Sequence, residues 1–348
     1  FSFKQLHGMS GSVVLMDCKT GGVNCLVSTP SFNNNNFSNG VSTKEWKRLL
    51  NDKSNPLLNR SVAGLYSPGS TFKLMTAMDA LNNGFNRETK FSCPGFVELG
   101  SHKFHCWKKG GHGLLNMFEG IRQSCDCYFY NLAKEIEIDS LAKLARNFSL
   151  GIKTGIDLPN ESIGIMPNRA WKRSNKGEKW HLGETFNTVI GQGFTLSTPL
   201  QITTMTARIA SGTEISPTLM RTKNGSIKYM NYDEKNLEFI RQAMFSVVNE
   251  LGGTAYSSRL SGNLFMAGKT GTSQVRRITK IERESESGVL KNKELPYELR
   301  DHSIFTCFAP FDKPKFALTV LIEHMGSGSK VAAPIAKKIL ELALKKYY

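Results

Sequence analysis

The sequence lacks a membrane span. Nowhere in its 348 residues does an uninterrupted apolar run approach the roughly 18 residues that a transmembrane helix needs. The opening stretch, Phe1 to Ser10, has none of the charge, apolar core and cleavage site of a secretory leader, so the chain is expected to be a soluble fragment or mature domain. Internal repeats and a domain-sized linker are missing too, which removes solenoid and tandem-domain architectures. Acidic residues are scarce: 29 Asp and Glu stand against 45 Lys and Arg, a formal charge of +16. Such an excess suits nucleic acid, anionic lipid or an acidic polymer as neighbour. Its basic runs are short and scattered (Lys44 to Arg48, Lys108-Lys109), and no helix carries a continuous basic face interleaved with aromatics, so nucleic acid is not an expected partner. The seven cysteines, at 18, 25, 93, 106, 125, 127 and 307, are odd in number and cannot all close into intrachain disulfides.

What is present is material for a large core, 40% of the residues being hydrophobic. Residues 12-17 and 22-28 read as strands joined by the turn Lys19-Thr20-Gly21. A polar excursion follows to Asn55, with a short helix near Lys44 to Leu50. The spacing predicts a helix over 71-81, marked at its start by Pro68-Gly69-Ser70, and further helices near 115-123, 127-137, 139-148, 199-210 and 235-250. Strand character returns at 264-275, 303-309 and 315-323, and an amphipathic helix closes the chain from Ala332 to Lys345. Strands from both ends therefore flank a helical middle. The economical arrangement is one antiparallel sheet of the N-terminal hairpin and three late strands, covered by the last helix, with the central helices as a second lobe.

Three short constellations carry chemistry. Ser70-Thr71-Phe72-Lys73 puts a serine and a lysine on one helical face, where a neutral Lys73 could take the Ser70 proton during attack on a carbonyl. Free lysine titrates near ~10.4, so that role asks for burial or a second cation. Ser124-Cys125-Asp126 lies between two helical segments; Ser124 could pass a proton to a leaving amine, and Asp126 could orient Lys73 or receive a substrate amide. Lys269-Thr270-Gly271-Thr272 follows a strand-like run. There Gly271 would let a substrate approach the backbone, Lys269 would supply charge and the threonines hydrogen bonds. Singly, each reads more simply as a helix cap or a turn.

In this order the three are the signature set of penicillin-binding proteins and serine β-lactamases, and the chain resembles that family from about Ser12 to Leu344. Asn59-Arg60, Tyr66-Ser67-Pro68-Gly69, Ile190-Gly191-Gln192-Gly193 and Thr198-Pro199-Leu200-Gln201 extend the likeness. Trp107-Lys108-Lys109-Gly110-Gly111-His112-Gly113, with Asp126 where Asn is commoner, resembles the elongation-type branch. Glu184 stands where the resemblance would place an aspartate. The resemblance implies an α/β transpeptidase fold with a five-stranded antiparallel sheet flanked by helices plus an all-helical lobe. Residues 1-11 would be a remnant of a pedestal or linker and 12-348 the transpeptidase domain, the membrane helix and pedestal being absent.

By the same resemblance the reaction is two-step acyl transfer on peptidoglycan stem peptides through Ser70, with the oxyanion between the N–H groups of Ser70 and Thr272. β-Lactams would be covalent inhibitors, no catalytic cofactor would be needed, and a polymerising glycosyltransferase of the elongation complex would be a partner of an extracytoplasmic domain. A class A β-lactamase is disfavoured because the deacylating Glu-x-x-Leu-Asn pentad is missing. A D,D-carboxypeptidase or a β-lactam sensor without turnover would carry the same motifs. Cys93, Cys106, His112 and Cys125, spaced C-x12-C-x5-H-x12-C, form a candidate structural zinc site beside the second motif, with His102 or His105 as substitutes for His112. A Cys93–Cys106 disulfide is the alternative.

Overall fold

Strand β1 (Gly11–Asp17) is buried along its whole length, as are β9 (Phe316–Ile322) and all of β8 (His302–Ala309) except its first residue. Such strands show no in-out alternation because both faces of the sheet are covered. In this computed structural model, which describes residues 1-348 apart from 39, 221-227, 277, 279-281, 283-288 and 348, they form the centre of a five-stranded antiparallel sheet. The order is β2 (Val23–Thr29), β1, β9, β8, β7 (Ala267–Ser273). It is the expected sheet of an N-terminal hairpin and three late strands. The hairpin turn is closed by the Asp17 carboxylate, which accepts from the N–H groups of Lys19 and Thr20 (2.8 Å each).

The remaining strands are two short ladders outside the main sheet: β3 (Phe91–Cys93) with β6 (Gly113–Leu115), and β4 (Phe96–Leu99) with β5 (His102–His105). In chain order the helices are α1 (Ser2–Gln5), α2 (Thr43–Asn51), α3 (Lys73–Asn82), α4 (Met117–Arg122), α5 (Asp126–Leu132), α6 (Ile138–Asn147), α7 (Arg169–Lys176), α8 (Leu182–Thr188), α9 (Pro199–Ser211), α10 (Glu234–Asn249) and α11 (Ala332–Tyr347). Helix α9 starts with Pro199 behind a Thr198–Gln201 capping box. It packs on β1, β8 and β9, while α11 packs on β8 and β9. Helices α3 to α6 and α10 make the second lobe. One apolar cluster joins Phe72, Phe129, Leu141, Met244, Phe305 and Leu318, so sheet and lobe share a core. Each such fully buried side chain is worth about 1.5–3 kcal/mol. The first residues are tied down as well, with α1 against β2 and Leu6 fully buried.

Several boundaries differ from those read from the sequence. The strand expected over 264-275 shortens to 267-273, because beyond Phe308, the partner of Ala267, β8 soon runs into Pro310, which has no N–H for the ladder. The helix expected over 127-137 ends at Leu132. Turn-type bonds from Lys134 N to Asn131 O and Glu135 N to Leu132 O break it before Glu137 caps α6. Helices α7 and α8 and both short ladders were not anticipated.

Candidate active site

The position of Ser70, the candidate nucleophile, is set by backbone. Ser70 sits in a 3-10 turn, Gly69–Phe72, that leads into α3. Gly69 adopts φ +54° and donates its N–H to Gly191 O (3.0 Å); a Cβ there would come within 2.4 Å of the Thr272 carbonyl oxygen. The turn is thus wedged between the Gly191 loop and β7. Ser70 is half-buried, and its hydroxyl has no hydrogen-bond partner among the described residues.

Lys73, at the start of α3, is fully buried. Its Nζ donates to Asp126 Oδ1 (2.7 Å) and to the Ser124 carbonyl (2.8 Å), and stands 3.4 Å from Ser124 Oγ. Lys269 on β7 is also fully buried rather than projecting from the strand edge, and donates to Ser124 Oγ (2.8 Å) and Thr270 O (3.2 Å). Burial, and next the cation of Lys73, push Lys269 well below the ordinary lysine range, against the pull of Asp126. Lys73 Nζ, Ser124 Oγ and Lys269 Nζ therefore form a continuous path for a proton.

Ser124 is held in strain. Its N–H donates to Ile121 O and the next N–H, of Cys125, to Gly120 O, the paired bonds of a Schellman ending of α4. The residue in the left-handed position of that motif is usually glycine, yet Ser124 occupies it with φ +54°. A non-glycine residue there costs of order 1 kcal/mol or more.

On β7, Gly271 has a packing role. A Cβ on it would press against Thr71 Cγ2 (3.0 Å) and the Pro68 carbonyl (3.1 Å), so the missing side chain lets the Ser70 turn pack on the strand. Thr272 lies on the outermost strand, and its carbonyl accepts from Gln192 Nε2 (3.1 Å). N–H and C=O of one residue point to the same side of an antiparallel strand, which leaves the Thr272 N–H on the free edge beside the Ser70 turn. Thr270 Oγ1 pairs with Thr254 Oγ1 (2.7 Å).

Next to the second motif, one ligand atom each from Cys93, Cys106, His112 and Cys125 lie within 4.8 Å of one another. His112 Nδ1 is 3.5 Å from both Cys93 Sγ and Cys106 Sγ. Tetrahedral zinc with ordinary Zn–S and Zn–N bonds would separate its ligand atoms by about 3.5–3.8 Å. All seven cysteines are free. Hydrogen bonds from Cys125 and Cys127 pull the Cys106 thiol far down, and the same bonds push Cys125 and Cys127 up, as for one thiolate shared among thiols. The ladders explain the convergence: Cys93 pairs with Gly113, His112 N donates to Cys93 O, and Cys106 N donates to Gly95 O. His102 and His105, on β5, are not in the group.

Three residues in quoted motifs gain contacts that the sequence did not give them. Gln192 fastens β7, and Trp107 is bonded to Asp126 and Ser124. Glu184 caps α8, accepting from His181 N (2.7 Å), and pairs with buried Lys172 (2.5 Å), a structural task for the residue that stands in place of an aspartate.

The family model described as penicillin binding protein transpeptidase domain matches residues 11-341. Among curated proteins, a peptidoglycan D,D-transpeptidase MrdA of Acinetobacter baumannii is 39% identical over 95% of this chain and 51% of its own length. The chain thus spans about half the length of that relative. Among solved structures, a Helicobacter pylori penicillin-binding protein (PBP2) in complex with MreC is similar at TM-score 0.88 and 37% identity, covering 98% of this chain and 62% of that one. A chain from a peptidoglycan synthase complex described as coordinating polymerization and crosslinking is similar at TM-score 0.81 and 30% identity, over 97% of this chain and 57% of that one.

Proposed function

The chain belongs to the penicillin-binding-protein transpeptidase family, and on that premise we propose that it is the catalytic domain of a peptidoglycan D,D-transpeptidase working through a Ser70 acyl-enzyme. The observation that carries the reading is the path from Lys73 through Ser124 to Lys269, set beside an accessible serine and a strand edge with a free N–H. Lys73 acts as the base in its neutral form; Ser124 Oγ, 3.4 Å from Lys73 Nζ and 2.8 Å from Lys269 Nζ, links the two buried amines so that they can share one proton. Ser70 Oγ then attacks the carbonyl of the penultimate D-Ala, and Lys73 takes its proton. The N–H groups of Ser70 and Thr272 hold the oxyanion, donors worth a few kcal/mol each (about 3–4) in such sites. As the C–N bond breaks, Ser124 delivers a proton to the departing D-Ala amine. An amine of a second stem peptide attacks the ester, loses its proton to the same relay and frees Ser70. A β-lactam would stop at the first ester, because its opened ring keeps the leaving amine attached.

The thiol cluster, in this reading, holds one structural zinc through Cys93, Cys106, His112 Nδ1 and Cys125, the ligand-atom spacing supporting the fit. With four protein ligands it leaves no open position for catalysis. Zinc's contribution would be to cross-link the segment that ends in Ser124-Cys125-Asp126. The domain would act outside the cytoplasmic membrane; among the described residues no helix is long and apolar enough to cross one. A glycan-polymerising enzyme fits as partner, since one structural relative comes from an assembly that couples polymerization to crosslinking.

Incubation with a stem pentapeptide ending in D-Ala-D-Ala and an acceptor peptide tests the reading. It predicts cross-linked dimer and free D-Ala in equal amounts. D-Ala released without dimer would make water the acceptor and the protein a carboxypeptidase.

A further inference from the structure

Trp107 takes no part in the acyl-transfer scheme, yet it is bonded to both acceptors that hold Lys73. Its backbone N–H donates to Asp126 Oδ2 (2.9 Å), and its indole N–H to the Ser124 carbonyl (3.1 Å) and the Gln123 carbonyl (3.3 Å). From the opposite side Lys73 Nζ donates to Asp126 Oδ1 (2.7 Å) and to the same Ser124 carbonyl (2.8 Å). A carboxylate has two oxygens and a carbonyl two lone pairs; Lys73 uses one of each and Trp107 the other.

Packing does not explain this tryptophan. The residue is 60% exposed, and among the described residues its ring meets only that of His112, in an edge-type contact with centroids 5.3 Å apart. An indole left largely in water gains little from the hydrophobic effect. What it supplies is two N–H donors on one residue, a few ångströms apart and without charge. Lysine or arginine in its place would set a second cation beside Lys73 and compete with it for Asp126. Phenylalanine and leucine have no side-chain donor. The residue before Trp107 is Cys106, itself held within the thiol cluster, so the donors stand on a fastened piece of backbone.

We propose that Trp107 is a positioning residue of the acylation step: it fixes the Asp126 carboxylate and the Ser124 carbonyl, and through them the place from which Lys73 Nζ takes the Ser70 proton. This rests on the acyl-transfer reading and makes the thiol-rich segment and the base parts of one bonded unit. An unfastened acceptor would let the Lys73 amine swing away from Ser70, and small displacements of a catalytic group are expensive in rate.

The test is Trp107→Phe, which keeps a ring and the backbone N–H and removes the indole donor, together with benzothienylalanine at 107, which keeps the bicyclic shape and lacks only the N–H. Stopped-flow acylation by a fluorescent penicillin over a concentration series separates the pre-covalent dissociation constant from the chemical rate constant. Both variants should lose about tenfold in the chemical rate constant, the worth of roughly one good hydrogen bond. Dissociation constant, melting temperature and bound zinc should match the parent's. Parental chemical rates in both variants would overturn the proposal. So would a loss confined to the dissociation constant, which would make the ring a wall of the binding cleft, or a loss that tracks melting temperature or zinc content, which would make Trp107 a fold support. A parent protein that is itself never acylated would instead remove the acyl-transfer reading on which the proposal stands.

Discussion

The two sides of the site are built by different means. Lys269 and Thr272 ride on β7, one strand of a sheet whose ladders run from Gly11 to Ile322 and whose inner strands lie in the main core. Opposite them, Ser124 and Asp126 follow a segment with only three- and four-residue strands, a run of glycines and four clustered Cys and His side chains. Strand geometry comes from many long-range bonds, and one loss is spread over the rest. The segment has few bonds, so its precision depends on particular ones: the thiol cluster, the Schellman ending of α4 and the Trp107 donors. A site can be equally well placed on both sides while being robust on one and fragile on the other.

Breaking the base gives the largest effect. Lys73→Ala should slow acylation by a factor of about 10³, measured with a chromogenic cephalosporin, while circular dichroism shows the fold retained. Removing the proposed zinc sharpens the contrast. Chelation, or Cys125→Ser, should slow acylation by roughly 10–100-fold and lower the melting temperature. Ile304→Val on β8 should cost about 1 kcal/mol of stability and leave the rate alone; if both sides lose rate equally, the contrast between them is wrong.

Ser124→Gly separates strain from function. Glycine relieves the left-handed backbone, so the variant should gain about 1 kcal/mol in denaturant unfolding, while acylation falls because the hydroxyl joining Lys73 to Lys269 is gone. Smallest in its effect on the rate is Asp79→Asn, farther along α3. Asp79 is buried with Oδ2 unpartnered, and burial raises its pKa to about 6 against 3.8. The folded state therefore binds the extra proton between those values, and the Asp79 contribution is most favourable at low pH and lost as pH rises through 6. The variant should gain about 1 kcal/mol at pH 7.5, and the difference should vanish near pH 4.

The same contrast explains what could be read from the sequence. Strands at both ends were legible because β1, β8 and β9 are apolar runs bounded by turn residues. Their order in the sheet was not, since it depends on pairings such as Ser12 with Leu321 that no local pattern encodes. The residues of the site were legible as motifs, and the fold brings Ser70, Lys73, Ser124, Asp126 and Lys269 to one place. The short ladders of 91-115 escaped because strands of three or four residues, with six of the fourteen residues exposed, carry too little periodicity. Helices α7 and α8 are short and polar. Gly271 was visible, but not the neighbour that needs it: the Cβ space is filled by Pro68 and Thr71, some 200 residues away in sequence.

The central claim, that this constellation makes Ser70 an acylable nucleophile, is tested most directly by mass spectrometry of the intact and digested protein after incubation with benzylpenicillin. The account predicts one penicilloyl group per chain, on the peptide containing Ser70, and none on Ser70→Ala. An adduct on another residue, or an unmodified parent protein whose fold is intact, would contradict it.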